Sequence, residues 1–289
     1  MMKTYTIFLF FLLALLSVFR TGDSAAYERV LRVSDSKIIS FNQMIDDIKL
    51  SGIIFVGESH DNEKHHLAQF DVIKSLDEAR VPLALGLEMF RADSQKELDL
   101  WTAGKLEMSS FLRLYYENWG APWPWYKTIF LFAKDRGIPM IGLNVPNEIS
   151  RKVSREGFSS LTVEEMKQLP PGITCDIDAA YMDFIRRVHG DRFQNDARSF
   201  RFFCEAQMVW DKTMAWHLVE FLKKNPLRTM VVLAGVGHSW KRGIPEQIRR
   251  QSILRYTVIL PEMPGHIGID TATTDDADYI LLDGKAPGR

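Results

Sequence analysis

Apolar positions in this chain alternate between short continuous runs and longer stretches with helical spacing. Ile53-Ile54-Phe55-Val56 is a β-rich apolar run ending on Gly57, which predicts a buried strand. From about Asn62 to Arg80, Leu67, Phe70, Ile73, Leu76 and Ala79 fall on one stripe and predict a helix. Val81-Pro82 opens a second strand, Leu83 to Leu87, ending at Glu88. Arg91 to Arg136 predicts two or three helices. Ile138 to Leu143 predicts a third strand with Asn144 at its end. Pro146 to about Gly190 reads as helices broken by Gly157 and by Pro170-Pro171-Gly172, and Ser199 to Lys224 as one long helix. A strand from Arg228 to Ala234 runs into Gly235-Val236-Gly237-His238. A short helix near Pro245 to Arg250 and closing strands at Tyr256–Leu260 and Tyr279–Leu282 follow. This order predicts an α/β fold: a mainly parallel sheet flanked by helices, with a helical insertion (about 91–136 and 146–224 largely helical). No Pro/Gly-rich linker divides residues 27–289, so one domain is expected.

The N-terminus has a different pattern. Lys3 precedes an apolar run from Tyr5 to Phe19, and the small residues Ser24, Ala25 and Ala26 follow. A basic start, an apolar core shorter than the roughly twenty residues of a membrane span and a small-residue end predict a secretory signal over residues 1–26, cut before Tyr27. A periplasmic or secreted protein, either free or membrane-associated, is the expectation. No cysteine precedes Cys175, so the lipid-bearing cysteine of a lipoprotein is not expected. Lys and Arg number 36 against 37 Asp and Glu, with no basic block, which argues against a nucleic-acid surface. Cys175 and Cys204 would contribute roughly 3–4 kcal/mol if bridged in an oxidising compartment. Two separate buried thiols are the alternative.

Ligands of open parallel sheets bind beyond the carboxyl ends of the strands. Four such ends carry polar residues here: Glu58-Ser59-His60, Glu88, Asn144 and His238. Two of the histidines follow a glycine in Gly-x-x-His turns, Gly57 to His60 and Gly235 to His238. Convergence of His60, Glu88 and His238 is expected, and such clusters mark functional sites. Two imidazoles with a carboxylate suit a Zn or Mn cation with an open position for water. Alternatively, Glu58 or Glu88 acts as a general base beside a histidine. No Gly-x-Ser-x-Gly elbow is present, and Ser59 beside His60 makes a poor serine triad. His65 and His66 either extend the pocket or sit on a solvated helix face. His217 falls in an apolar stripe and reads as packed, whereas His266 in its Pro/Gly loop carries no signal.

Trp119-Gly120-Ala121-Pro122-Trp123-Pro124-Trp125-Tyr126 packs four large aromatics into eight residues. Aromatics at that density either fill a helical insertion or line a flat apolar cofactor such as haem, with Tyr126 as axial ligand. Tyr181 and His189, eight apart on a helical stretch, are equal candidates for haem contact. There is no Cys-x-x-Cys-His for covalent haem attachment.

Several motifs in register resemble the ChaN-like haem-binding uptake proteins, within a superfamily that includes TIKI/TraB proteins and erythromycin-esterase-like enzymes. They are Val56-Gly57-Glu58-Ser59-His60-Asp61-Asn62 with His65-His66 and Gln69, then Leu87-Glu88-Met89-Phe90 and Gly142-Leu143-Asn144-Val145-Pro146. Ala206-Gln207 through Trp210-Asp211-Lys212-Thr213-Met214-Ala215 and Leu233-Ala234-Gly235-Val236-Gly237-His238 complete the set, which runs from about residue 50 to 260. The resemblance implies an exported protein of haem and iron acquisition, with a second copy of itself and an outer-membrane haem receptor as partners. It also implies haem held between two subunits, with a tyrosine on iron; Tyr126 and Tyr181 are the candidates here. The wider superfamily implies instead a hydrolase, protease or esterase, carried by Glu58, His60, Glu88 and His238.

Overall fold

The structure, a computed structural model, describes residues 25–189 and 196–284. The signal expected over residues 1–26 therefore lies almost wholly outside the described residues. Eight strands form one sheet: β1 (Arg29–Arg32), β2 (Lys37–Ser40), β3 (Ile53–Glu58), β4 (Leu83–Arg91), β5 (Met140–Asn144), β6 (Thr229–Gly235), β7 (Tyr256–Pro261) and β8 (Tyr279–Leu281). Their spatial order is β2-β1-β8-β7-β3-β6-β4-β5. All neighbours from β8 to β5 are parallel, and β1 and β2 add an antiparallel edge. The fold is thus the expected α/β arrangement. The antiparallel edge was not expected, because β1 and β2 are four residues each and too short to show a period.

The helices are α1 (Phe41–Ile48), α2 (Glu63–Glu78), α3 (Gln95–Thr102), α4 (Met108–Asn118), α5 (Trp123–Arg136), α6 (Asn147–Glu156), α7 (Val163–Met166), α8 (Ala179–His189), α9 (Ala197–Lys224), α10 (Val236–Ser239) and α11 (Ile244–Gln251). Among the described residues no helix is long and apolar enough to cross a membrane.

Side chains alternate across a strand, so each strand feeds two layers. On β3, Ile54 and Val56 pack with α2 to α5, burying Val72, Leu76, Phe111, Tyr115 and Phe130. Ile53 and Phe55 pack with α8, α9 and α11, against Phe184, Met208, Leu218 and Ile248. The same parity places Glu58 on the first face. On β4, Leu83, Leu85 and Leu87 share the first layer and Ala84 the second, which places Glu88 on the second face. β4 continues three residues past its expected end, to Arg91. A register shift between Leu87 and Arg91 opens its pairing with β5 at the level of Glu88. The aromatic segment starts α5, with Pro124 in its first turn and Gly137 in the left-handed conformation (φ 62°) at its end. Both cysteines are free thiols, so no disulfide joins the layers.

Candidate functional site

The site sits over the carboxyl edge of the sheet, and the two acids enter from opposite faces. Glu58, 1 % exposed, accepts three side-chain hydrogen bonds. Its Oε1 lies 2.8 Å from His60 Nδ1 and 2.6 Å from the Tyr126 hydroxyl, and its Oε2 lies 2.8 Å from His66 Nδ1. Burial would raise the Glu58 pKa, but the hydrogen bonds and charges of His60 and His66 hold it down at about 2. Burial likewise works against charged His60, yet Glu58 and the nearby charges of Glu88 and Asp61 push it up to about 9. The His60 side chain is 45 % exposed, so one imidazole face meets solvent while Nδ1 is fixed on a buried carboxylate. With Nδ1 donating, Nε2 carries the lone pair of the neutral ring.

Glu88 answers from the other face. Its Oε2 accepts the Gly235 backbone N–H at 2.7 Å, and its Oε1 lies 3.7 Å from His238 Nε2. His238 Nδ1 donates to Asp211 Oδ1 at 2.7 Å, and Asp211 Oδ2 accepts from the Tyr181 hydroxyl at 2.8 Å. Burial disfavours charged His238, but the carboxylates of Glu88 and Asp211 overcome this and raise its pKa. Gly235 joins the halves. A β-carbon on it would lie 2.9 Å from His60 Cε1 and 3.7 Å from Glu88 Oε2. His60, Glu88 and His238 therefore converge. Among the described residues, however, no group of three or more His, Cys, Asp or Glu side chains is placed to hold one metal ion.

The other sequence candidates divide. His66 is buried inside the site and His65 is buried beside it, so neither lies on a solvated face. His65 Nδ1 accepts the Ser59 N–H at 2.9 Å, and burial lowers its pKa. Asn144 tethers the acid from behind, donating to the Glu88 carbonyl at 2.7 Å. His217 is partly buried against Trp216, and burial lowers its pKa to about 4. His266 bonds the Arg187 carbonyl at 3.0 Å, away from this cluster. His189 packs edge-on against Phe203 and approaches Gly237.

Tyr126 and Tyr181 depart from the part expected of them. Tyr126 has no exposed surface and Tyr181 only 6 %. Burial and the adjacent carboxylates push both phenols well up, so each is a neutral donor to an acid. Their hydroxyls are directed into the protein. The aromatic segment is split as well: Trp123 and Tyr126 fill the core, while Trp119 and Trp125 remain partly exposed. Together with His60, Asp61, Gly120 and Ala121 they line an open cleft of about 460 Å³ with an almost wholly apolar wall. Trp119 meets the His60 ring edge to face at 5.0 Å.

A family described as haem-binding uptake, Tiki superfamily, ChaN, matches residues 44–248, most of the chain. The chain belongs to this family. The described fold resembles ChaN of Campylobacter jejuni, solved for cofacial haem binding, with a TM-score of 0.66 and 23 % identity. That match covers 87 % of this chain and 95 % of the other. An erythromycin esterase in an open conformation aligns at 14 % identity and TM-score 0.49, over 77 % of this chain and 73 % of its own. A type III effector aligns at 13 % identity and TM-score 0.49, over 83 % and 90 %. No curated protein sequence matches the chain.

Asp211, bonded to His238 and Tyr181, belongs to this cluster but is not singled out by the sequence. It lies in a quoted motif, but nothing marks it as a partner of His238, 27 residues away. The available signal is an acid on the buried stripe of a long helix, between Met208 and Met214.

Proposed function

We propose that this chain binds haem for uptake in the cleft between His60, Trp119 and Trp125, with His60 facing the iron. One observation carries the reading. A solvent-facing imidazole, fixed through Nδ1 by a buried carboxylate, stands at the wall of an open apolar cleft in a member of a haem-binding uptake family. The wall suits the group: two indoles and Ala121 offer apolar surface to a flat ring, and the cleft volume falls within the range of small-ligand sites. His60 would hold the group through an imidazole nitrogen, and haem would supply the iron that this nitrogen binds. Glu58 orients His60, and His66 and Tyr126 hold Glu58; such supporting partners tune a ligating histidine. The cleft is open to solvent. The cofacial haem binding of the Campylobacter jejuni ChaN supports closure by the haem of a second copy. The N-terminal pattern supports export to the periplasm or beyond, with transfer to or from an outer-membrane haem receptor.

Titration with hemin tests the reading. Wild-type protein should show a saturable Soret change, and His60→Ala and Trp119→Ala should weaken it at least about tenfold, the loss typical of a disturbed metal ligand environment. No saturable change in wild type sinks the proposal.

A second reading rests on Glu88 between two carboxylate-anchored imidazoles, 3.7 Å from His238 Nε2. Acid–base hydrolysis of an ester or peptide would use Glu88 or His238 as base. A panel of ester and peptide substrates tests it: turnover lost in Glu88→Gln, with hemin binding kept, would establish a hydrolytic centre separate from the haem cleft. A panel without turnover removes this reading.

A further inference from the structure

The opposite edge of the sheet has a chemistry the haem reading does not use. β3, β4, β6 and β7 are parallel, so the four loops that enter them (49–52, 79–82, 225–228 and 252–255) lie together at the amino edge. Three loops put a large apolar side chain into solvent: Leu50 is 92 % exposed, Leu227 87 % and Ile253 100 %. The next most exposed large apolar residue among those described is Val163 at 73 %. Leu50 and Leu227 border one surface depression and Ile253 borders another, and the two share Gly52, Pro226 and Arg228. The three therefore form one surface.

Charge points to its partner. Each of the four loops contributes one basic residue (Lys49, Arg80, Arg228 and Arg255) and none contributes an acid. Lys223 and Lys224 precede the third loop. Of the flanking acids, Asp46, Glu220 and Glu246 sit in ion pairs with Lys49, Lys223 and the Arg249–Arg250 pair, and Glu78 flanks Arg80. Isolated aliphatic tips ringed by Lys and Arg match the boundary between anionic headgroups and acyl chains. A protein partner fits less well, since stable protein interfaces centre on aromatic anchors in packed pockets and are depleted in Lys.

We propose that this amino edge docks on an anionic phospholipid surface, with Leu50, Leu227 and Ile253 entering the acyl boundary and the exposed Arg80, Lys224 and Arg255 meeting the headgroups. Lys49 and Lys223 sit in ion pairs, and Arg228 donates to the Leu83 carbonyl. The surface lies about 17 Å from the site, the length of β3 at roughly 3.3 Å per residue. Docking there turns the haem cleft away from the lipid, toward a soluble or receptor-borne exchange partner. β1 runs antiparallel to β8, so its first residue, Arg29, lies at the carboxyl edge of the sheet, opposite this surface.

The test places an environment-sensitive fluorophore on Ile253→Cys or on Leu67→Cys of the full chain; Leu67 is 48 % exposed near the start of α2, at the site edge. Labelled wild-type protein corrects for Cys175 and Cys204. Vesicles of phosphatidylcholine with brominated acyl chains, with and without phosphatidylglycerol, are then added. The label at 253 should be quenched at about tenfold lower lipid concentration when phosphatidylglycerol is present, and released by molar salt. Adding Leu50→Ser and Leu227→Ser should weaken that quenching, and the label at 67 should stay bright. Equal quenching at both positions, as an N-terminal tether alone would give, overturns the proposal. So does an unquenched label at 253, including the case where it responds only to a soluble acidic protein.

Discussion

His60 Nδ1 and Glu58 Oε1 are 2.8 Å apart, and the pair spans the protein boundary: the carboxylate is fully buried while the imidazole is 45 % exposed. Each holds the other charged. Glu58 titrates near 2 rather than 4.5, so its contribution to stability is present above pH 4.5 and lost as pH falls through 2. His60 titrates near 9 rather than 6.5, so its contribution is full below pH 6.5 and lost as pH rises through 9. Both terms are intact only between about pH 4.5 and 6.5. Urea midpoints should therefore fall from pH 6.5 to 9 in wild type, and this slope should flatten in His60→Gln. An unchanged slope in that variant would show that His60 is not the group lost.

If His60 ligates haem as proposed, the same proton competes with iron. A ligating imidazole must be neutral, so below pH 9 each unit of acidity should weaken hemin binding by His60 by up to about tenfold. Hemin affinity measured between pH 7 and 9 should rise, and the rise should vanish in His60→Ala. A flat profile in wild type argues for a ligand other than His60.

Tyr126→Phe separates support from ligation. Losing the 2.6 Å bond to Glu58 should cost about 1–3 kcal/mol of stability, since a buried charged acceptor loses a donor. The ferric haem spectrum should persist, because the phenol is buried and neutral. A lost phenolate-type spectrum would return Tyr126 to the role of axial ligand.

The sequence carried the sheet and the two Gly-x-x-His turns because β3 and β6 are continuous apolar runs, and such runs have few alternatives to a buried strand. It also carried the convergence of His60, Glu88 and His238, which follows from parallel strands sharing one edge. It did not carry which face each acid takes, since that depends on strand parity within a sheet of unknown order. Nor did it carry the burial of His66, which faces α5 only once the crossover places α2 beside it. Nor did it carry the burial of Tyr126 and Tyr181, for the same reason. Helical spacing puts a phenol on a face, but only packing shows whether that face meets solvent or a buried acid.

Gly235 tests whether the cleft needs His60 where it stands. A β-carbon there would come 2.9 Å from His60 Cε1, closer than packed atoms allow, and 3.1 Å from Nε2, a tight contact. Its φ of −54° suits alanine, so the backbone tolerates the change and the ring must yield. Gly235→Ala should keep most of its thermal stability while hemin affinity falls at least about tenfold, as for other disturbed ligand environments. Unaltered affinity with a shifted His60 ring would detach the imidazole from haem binding.

The other half of the site depends on Asp211, 1 % exposed, which takes the His238 imidazole on one oxygen and the Tyr181 phenol on the other. Asp211→Ala leaves both donors buried without their acceptor, and breaking such a buried charged pair costs about 3–5 kcal/mol. Tyr181→Phe removes one bond and should cost about 1–3 kcal/mol. Because the two residues share that bond, the double variant should be less destabilised than the sum of the single ones. Asp211 also sets the His238 ring: with Nδ1 fixed, Nε2 is the nitrogen facing Glu88 at 3.7 Å. Asp211→Asn should therefore lower the His238 pKa, which an NMR titration of the imidazole reads directly. An unmoved His238 titration together with additive stability losses would leave Asp211 as a packing residue with no hold on the site.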